Sequence, residues 1–382
     1  MRVYLDYNAT APVSPDVADA VTAALREDFG NPSSVHAFGQ RAKALVDEAR
    51  TRVARLIAAD PNDLVFTSGG TEADNLALRG LVSPRRTLIL SAIEHEAVLH
   101  TARSLADHGW TVVALPVGRS GLVDPADLEA ALTPDTALVS VMHANNEIGT
   151  IQPVRALADL AHRAGALVHT DAVQSAGKIP VSVTALGVDL LSLSAHKIGG
   201  PKGVGALWVR RGVRLAAHTT GGRQERNRRA GTENVPGIAG FGVAAARAHA
   251  QLGAADDVGG LRDRLERGLL AAVPGTGVNG DTASRVPNTT SISFDGVEAE
   301  TLLVALDLEG IAVSTGAACS SGTLEPSHVL RAMRLPRGRA RNSLRFSLGP
   351  ATTAAEIDLV LSRLPPLVQR LRRLSRVATS LS

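Results

Sequence analysis

Seven short apolar runs constrain this chain more than any other feature. They are LVFT (64–67), TLILS (87–91), TVVAL (111–115), ALVSVM (137–142), ALVHT (166–170), DLLSLS (189–194) and GALWV (205–209). Between most of them lie segments such as 96–108 and 154–164, whose apolar residues recur three and four apart. Runs of β type alternating with helical periodicity predict an α/β fold, a mainly parallel sheet flanked by helices. In such a sheet ligands bind at the carboxyl ends of the strands, so the loops that follow these runs are where chemistry is expected.

A second pattern begins near residue 256. Helical periodicity over 257–272, the strand TSISF (290–294), a helix over 298–308, another over 326–333, the strand SLRFSL (343–348) and a final helix read as a smaller α+β unit. The expected division is a large domain over 15–255 and a small domain made of 256–382 together with 1–14.

At 382 residues, 45% hydrophobic and 20% charged, the chain is globular. Its 40 Lys and Arg against 37 Asp and Glu leave a net charge of +3. That imbalance is too small to suggest a nucleic-acid binder. A single cysteine excludes an internal disulfide and any four-thiolate metal site within one chain. The opening MRVYLDYNAT carries charge and turn residues where a signal peptide needs an apolar stretch, and no apolar run reaches about 18 residues. A cytoplasmic protein without a membrane partner is expected.

Several strand-end loops carry reactive groups. SLSAHKIGGPKG (192–203) places Lys197 just past an apolar strand, where desolvation depresses an amine's pKa and makes it a nucleophile or Schiff-base former. Lys178 and Lys202 read instead as ordinary surface lysines. ALVHTDAVQS (166–175) brings Asp171 and Gln174 to the same sheet edge. An acid there could cap a helix, bind a metal or face a cationic ring nitrogen. Together, an amine and an acid on neighbouring strand ends are what pyridoxal phosphate requires.

Other stretches fit around that pair. TSGGTEADNLAL (67–78) runs from a strand end through two glycines into a helix near Thr71, a suitable cradle for a phosphate but no Walker motif. In IEHEAVLH (93–100), His95 and His100 are five apart, about 140° round a helix, which rules out the two-histidine zinc pattern. His95 could instead stack on an aromatic cofactor and move protons. HANNEIGTIQP (143–153) supplies Asn145, Asn146 and Glu147, and Arg345 inside SLRFSL suits capture of a carboxylate. GFGVAA (240–245) matches a dinucleotide fingerprint only formally and reads as tight helix packing. The one thiol, Cys319, sits in STGAACSSG among small residues, an unusual setting for a packed core cysteine.

Taken in order, YLDYNATAP, FGNPSSVH, FTSGGTEADNLAL, EHEAV, HANNEIG, HTDAVQS, SAHKIGGPKGVGALWV, RRAGTEN, STGAACSSGTLEPSHVLRA and LRFSLG closely resemble the cysteine desulfurases of the NifS/IscS type. The resemblance runs from about residue 3 to 360 and implies a fold-type I enzyme that uses pyridoxal 5'-phosphate. It implies that Lys197 joins the cofactor covalently, Asp171 pairs with the ring nitrogen, Gln174 meets the ring hydroxyl and His95 covers the ring face. Gly70, Thr71, Ser194 and His196 would hold the phosphate, with Thr232 of RRAGTEN reaching it from the other subunit of a homodimer. Asn146 and Arg345 would bind the carboxylate of L-cysteine, and Cys319 would take up its sulfur as a persulfide for an acceptor protein. Such acceptors include iron-sulfur scaffolds and tRNA-thiolation enzymes.

Two departures stand out. Where the family often reads GGGQERG, this chain reads GGRQERN, placing Arg223 and Asn227 near the expected dimer-linked phosphate contact. After its final helix the chain ends at LSRVATSLS, without the longer tail some relatives use for docking. The rival readings are a selenocysteine lyase, a related aminotransferase and a non-catalytic sulfur-transfer scaffold. An aminotransferase has no use for Cys319, and a scaffold has none for Lys197.

Overall fold

A computed structural model describes residues 2–316 and 326–381. The strands are β1 (Val3–Tyr4), β2 (Leu64–Thr67), β3 (Thr87–Ser91), β4 (Thr111–Leu115), β5 (Thr136–Ser140), β6 (Leu167–Asp171), β7 (Leu190–Ser194), β8 (Gly205–Val209), β9 (Thr276–Asn279), β10 (Thr289–Phe294), β11 (Ile311–Ala312) and β12 (Ser343–Ser347). Seven of them form one sheet in the order β2-β8-β7-β6-β5-β3-β4. All neighbours are parallel except at β8, which runs antiparallel to both β2 and β7.

Except at the edge strand β4, whose residues are mostly exposed or half-buried, the apolar runs are buried on both faces of this sheet. Leu64, Phe66, Ile89, Val139 and Val168 join one hydrophobic cluster, while Val65, Leu88, Leu90 and Leu138 join another. Neighbouring residues along a strand therefore feed opposite faces, which is why the sequence shows continuous runs instead of alternation. Helices Ala37–Leu56 and Val235–Gln251 cover one face. A Cβ on Gly242 would lie 2.6 Å from Ala49 Cα, so the GFGVAA stretch is a close helix contact.

A third cluster draws Val3 and Leu5 together with Ile292, Phe294, Leu344 and Phe346. It is built on the antiparallel sheet β12-β10-β9 and on the helices Ala255–Ala272, Ala299–Leu308 and Ala354–Leu381. The extreme N-terminus thus shares its core with the C-terminal third, through parallel pairing of β1 with β11. The short helices His328–Ala332 and Arg337–Arg341 behave differently: Val329, Leu330 and Ala340 pack into the core of the large sheet. Among the described residues no helix is long and apolar enough to cross a membrane.

Candidate active site

The carboxyl ends of the parallel strands open into a cavity of about 660 Å³. Gly70 and Thr71 follow β2, His95 follows β3, Asn146 follows β5, Gln174 follows β6, and Lys197 lies in the turn Ala195–Ile198 after β7. Asp171 and Ser194 are the last residues of β6 and β7, and His196 also lines the cavity. The parallel register delivers them together: Asp171 pairs with Ser192, two residues before Ser194. Arg345 reaches the same space from the middle of β12.

Lys197 is the central amine. Its Nζ donates to the backbone oxygens of Asn8 (2.6 Å) and Ala9 (3.0 Å) and makes no direct ion pair among the described residues. Desolvation, reinforced by the Arg345 charge, lowers its pKa to about 8, which leaves a usable fraction of free amine near neutrality. Asp171 is buried, and its Oδ1 accepts from the amide of Val173 at 2.8 Å. Burial raises its carboxyl pKa, while His95 and Lys197 pull it back down. A cation arriving beside this carboxylate would be favoured strongly.

His95 caps the helix Glu96–Ala106, its Nδ1 accepting from the amide of Ala97 at 3.1 Å. Desolvation lowers its pKa, so the ring is neutral at pH 7 and its proton sits on Nε2. The ring therefore offers a donor to the cavity.

One end of the cavity suits an anion. Among the described residues the helix Gly70–Arg79 begins there with no side-chain cap, leaving its first amides open. A Cβ on Gly70 would lie 3.0 Å from Val173 and 3.5 Å from Ser194, so glycine keeps the cradle clear. Just behind, a Cβ on Gly205 would fall 2.6 Å from the backbone of Gly69, which fixes how closely β8 supports this turn. His196, hydrogen-bonded at 3.2 Å to Thr10 Oγ1, has a pKa lowered to about 4 by desolvation, so it approaches an anion as a neutral hydrogen-bonding ring. Anion cradle, amine and buried carboxylate together match a ligand with a phosphate, an electrophilic carbon and a basic ring nitrogen.

The opposite wall comes from distant parts of the chain. Arg345, 4% exposed, donates Nη1 to Asn146 O (2.9 Å) and Nη2 to Asp6 Oδ1 (2.6 Å). It is thus no surface ion pair, and its fork lies at the cavity rim. Asn8 ties this wall together and escaped the sequence reading. Its Nδ2 donates to Asn146 O (3.1 Å) and Thr289 Oγ1 (2.9 Å), and its backbone oxygen accepts from Gln174 Nε2 (3.0 Å) as well as from Lys197. No local pattern marks it, because its partners lie more than 100 residues away in sequence. Glu147 is also buried, accepting from Ser327 Oγ, with a carboxyl pKa raised by burial. Asn145 is a structural turn residue whose Oδ1 accepts from the amides of Glu147 and Ile148.

One expectation is overturned. Lys178 is not a surface lysine: its Nζ donates inward to Gln174 Oε1 (2.6 Å) and Asn8 Oδ1 (2.7 Å), and burial pushes its pKa well below the usual lysine value. The glycine turn at 177 folds the chain back, so the side chain enters the interior that an isolated sequence pattern cannot reveal. Lys202 is exposed as expected. Thr232 lies outside the cavity on an exposed loop. The nearby Glu225, Arg226 and Asn227 adopt left-handed backbone, anchored by a two-pronged Glu225–Arg50 ion pair. Cys319 lies outside the described residues.

Known proteins resemble this chain over nearly its whole length. The family model described as aminotransferase class-V matches residues 3–360. A cysteine desulfurase of Cereibacter sphaeroides is 51% identical, the match covering 98% of this chain and 97% of the relative. The solved structure of a NifS-like protein superposes with a TM-score of 0.91 at 39% identity, covering 97% of this chain and all of that one. The structure titled "SspA in complex with cysteine" has a TM-score of 0.80 at 32% identity, over 92% of this chain and 100% of that chain.

Proposed function

We propose a reaction for this cavity from one premise: the chain belongs to the class-V aminotransferase family and, within it, to the cysteine desulfurases. It is a pyridoxal-phosphate-dependent enzyme that removes sulfur from L-cysteine and leaves L-alanine. When bound, pyridoxal 5'-phosphate supplies an aldehyde for amine exchange and a protonated ring that draws electron density from the substrate.

The chain's residues divide the remaining work. The open helix start at Gly70 and Thr71, with Ser194 and His196, would receive the phosphate. Asp171 would keep the ring nitrogen protonated, because a buried carboxylate is stabilised most by a cation placed against it. Gln174 would meet the ring hydroxyl, and His95 would cover the ring face as a neutral ring whose Nε2–H donates a hydrogen bond into the cavity. Arg345 and Asn146 orient the carboxylate of L-cysteine by a fork suited to two oxygens. Lys197 would hold the cofactor covalently, and its amine, whose pKa desolvation lowers to about 8 in the unliganded chain, would serve as the base when free. The Cys319 thiolate attacks the substrate sulfur, forming an S–S bond as the Cβ–S bond breaks.

A homodimer completes the site through Thr232, and the persulfide passes to an acceptor protein such as an iron-sulfur scaffold or a tRNA-thiolation enzyme. The domain division at 15–255 against 1–14 with 256–382 is supported by the shared core of Val3, Leu5 and the C-terminal strands.

The observation that carries the reading is Lys197: a free amine of lowered pKa, beside Asp171, in a cavity ending at an uncapped helix. Purified protein incubated with pyridoxal phosphate should turn yellow in wild type and not in Lys197→Ala. It should release alanine from cysteine in step with sulfide when a reductant is present. A wild-type protein that stays colourless would overturn the assignment.

A further inference from the structure

Lys178 has no place in the scheme above, yet it is one of two lysines held by the same asparagine. Its Nζ donates to Asn8 Oδ1 (2.7 Å), while Lys197 Nζ donates to Asn8 O (2.6 Å). Lys178 also donates to Gln174 Oε1 at 2.6 Å. Two donors are present on this nitrogen whether it is charged or neutral, so both contacts survive its lowered pKa.

These contacts decide which way two amides point. Asn8 Oδ1 accepts from Lys178 and from Asn288 Nδ2 (3.0 Å), and Asn8 Nδ2 donates to Asn146 O and Thr289 Oγ1. Reversing that amide would set donor against donor on one side and oxygen against carbonyl on the other. Gln174 is fixed in the same way: Oε1 is taken by Lys178, and Nε2 donates to Asn8 O at 3.0 Å. Its second Nε2 proton has no acceptor among the described residues, and Gln174 lines the cavity. The amide therefore presents a donor, not an acceptor, to whatever binds there.

We propose that Lys178 is a positioning residue that locks Gln174 with its N–H end toward the cavity, so that Gln174 donates to an anionic oxygen on the bound ligand. On the reading of the cavity given above, on which this rests, that oxygen is the ring phenolate of pyridoxal phosphate. Without Lys178 the Gln174 amide loses the partner that enforces its orientation, and the oxygen end becomes free to face the phenolate. Asn8 is still held by Asn288, Thr289 and Asn146, so the loss falls mainly on Gln174.

The test compares affinity of the full chain for pyridoxal phosphate, by absorbance titration, in four proteins: wild type, Lys178→Met, Gln174→Ala and the double variant. Lys178→Met is expected to weaken binding about fivefold in the wild-type background and less than about twofold in the Gln174→Ala background. The pH midpoint of the bound cofactor's absorbance should move upward in Lys178→Met, because a donor to the phenolate stabilises its deprotonated form. Lys178→Arg, which keeps two donors and has room in the adjoining cavity of about 430 Å³, should restore both. Should Lys178→Met fail to fold, Lys178→Gln, too short to span both acceptors, carries the same expectation.

Equal affinity and midpoint in wild type and Lys178→Met would overturn the proposal, as would a loss of the same size in both backgrounds. Neither result touches the assignment of the cavity. That assignment fails only if the wild-type chain itself does not bind pyridoxal phosphate.

Discussion

The two walls of the cavity are built on different principles. One wall is the carboxyl edge of a parallel sheet, where His95, Asp171, Ser194 and Lys197 emerge from the ends of β3, β6 and β7. The other gathers Asp6, Asn8 and Arg345 from the two ends of the chain and holds them by side-chain hydrogen bonds, with Asn288 bonded to Asn8 behind them. Regular backbone positions the first wall and a polar network positions the second. The first should carry chemistry that tolerates little change, whereas the second should carry substrate positioning and stability.

The largest expected effect lies on the strand-end wall. Lys197→Ala should lower alanine formation by a factor of about 10³ or more, since it would remove the proposed covalent anchor and base together. A drop below about tenfold would mean another amine does the work. Next comes the acidity of that amine. Below a pKa of about 8 the amine is protonated, so the rate of pyridoxal phosphate loading should fall about tenfold per pH unit and level off above it. A stopped-flow midpoint near the ordinary lysine value would contradict the desolvation argument.

The opposite wall is predicted to respond differently. Arg345→Ala should reduce kcat/KM for cysteine by about 10², mostly through KM, and leave the cofactor's colour intact. Asn8→Ala should cost about 2 kcal/mol of stability, read from the denaturation midpoint, because several buried partners lose a hydrogen bond together. Loss of activity with unchanged stability in Asn8→Ala would blur the contrast. The smallest effect belongs to the exposed Lys202, whose replacement by Ala should change stability by less than about 0.5 kcal/mol.

This division also explains what the sequence made legible. Continuous apolar runs and helical spacing located every strand of the large sheet to within a residue or two, since burial on both faces leaves a local mark. The strand-end groups followed, because position after a strand is itself a local property. Arg345 could be singled out only as a charge inside an apolar strand. Asn8 and Lys178 carried no such mark: one lies in a turn beside the N-terminus and the other four residues after Gln174, and both depend on contacts between remote segments. Lys178 and Lys202 look alike in sequence, and only the turn at Gly177 sends the first inward.

In the proposed reaction, sulfur passes from cysteine to Cys319 in this cavity through a cofactor held by Lys197. The direct measurement is intact-protein mass after a single turnover with cysteine and no reductant, together with the alanine released. The account predicts one added sulfur per subunit, mapped to Cys319, with alanine in equal amount, and neither product in Cys319→Ala. Alanine formed at the wild-type rate by Cys319→Ala, or a wild-type chain that gains no sulfur, would contradict it.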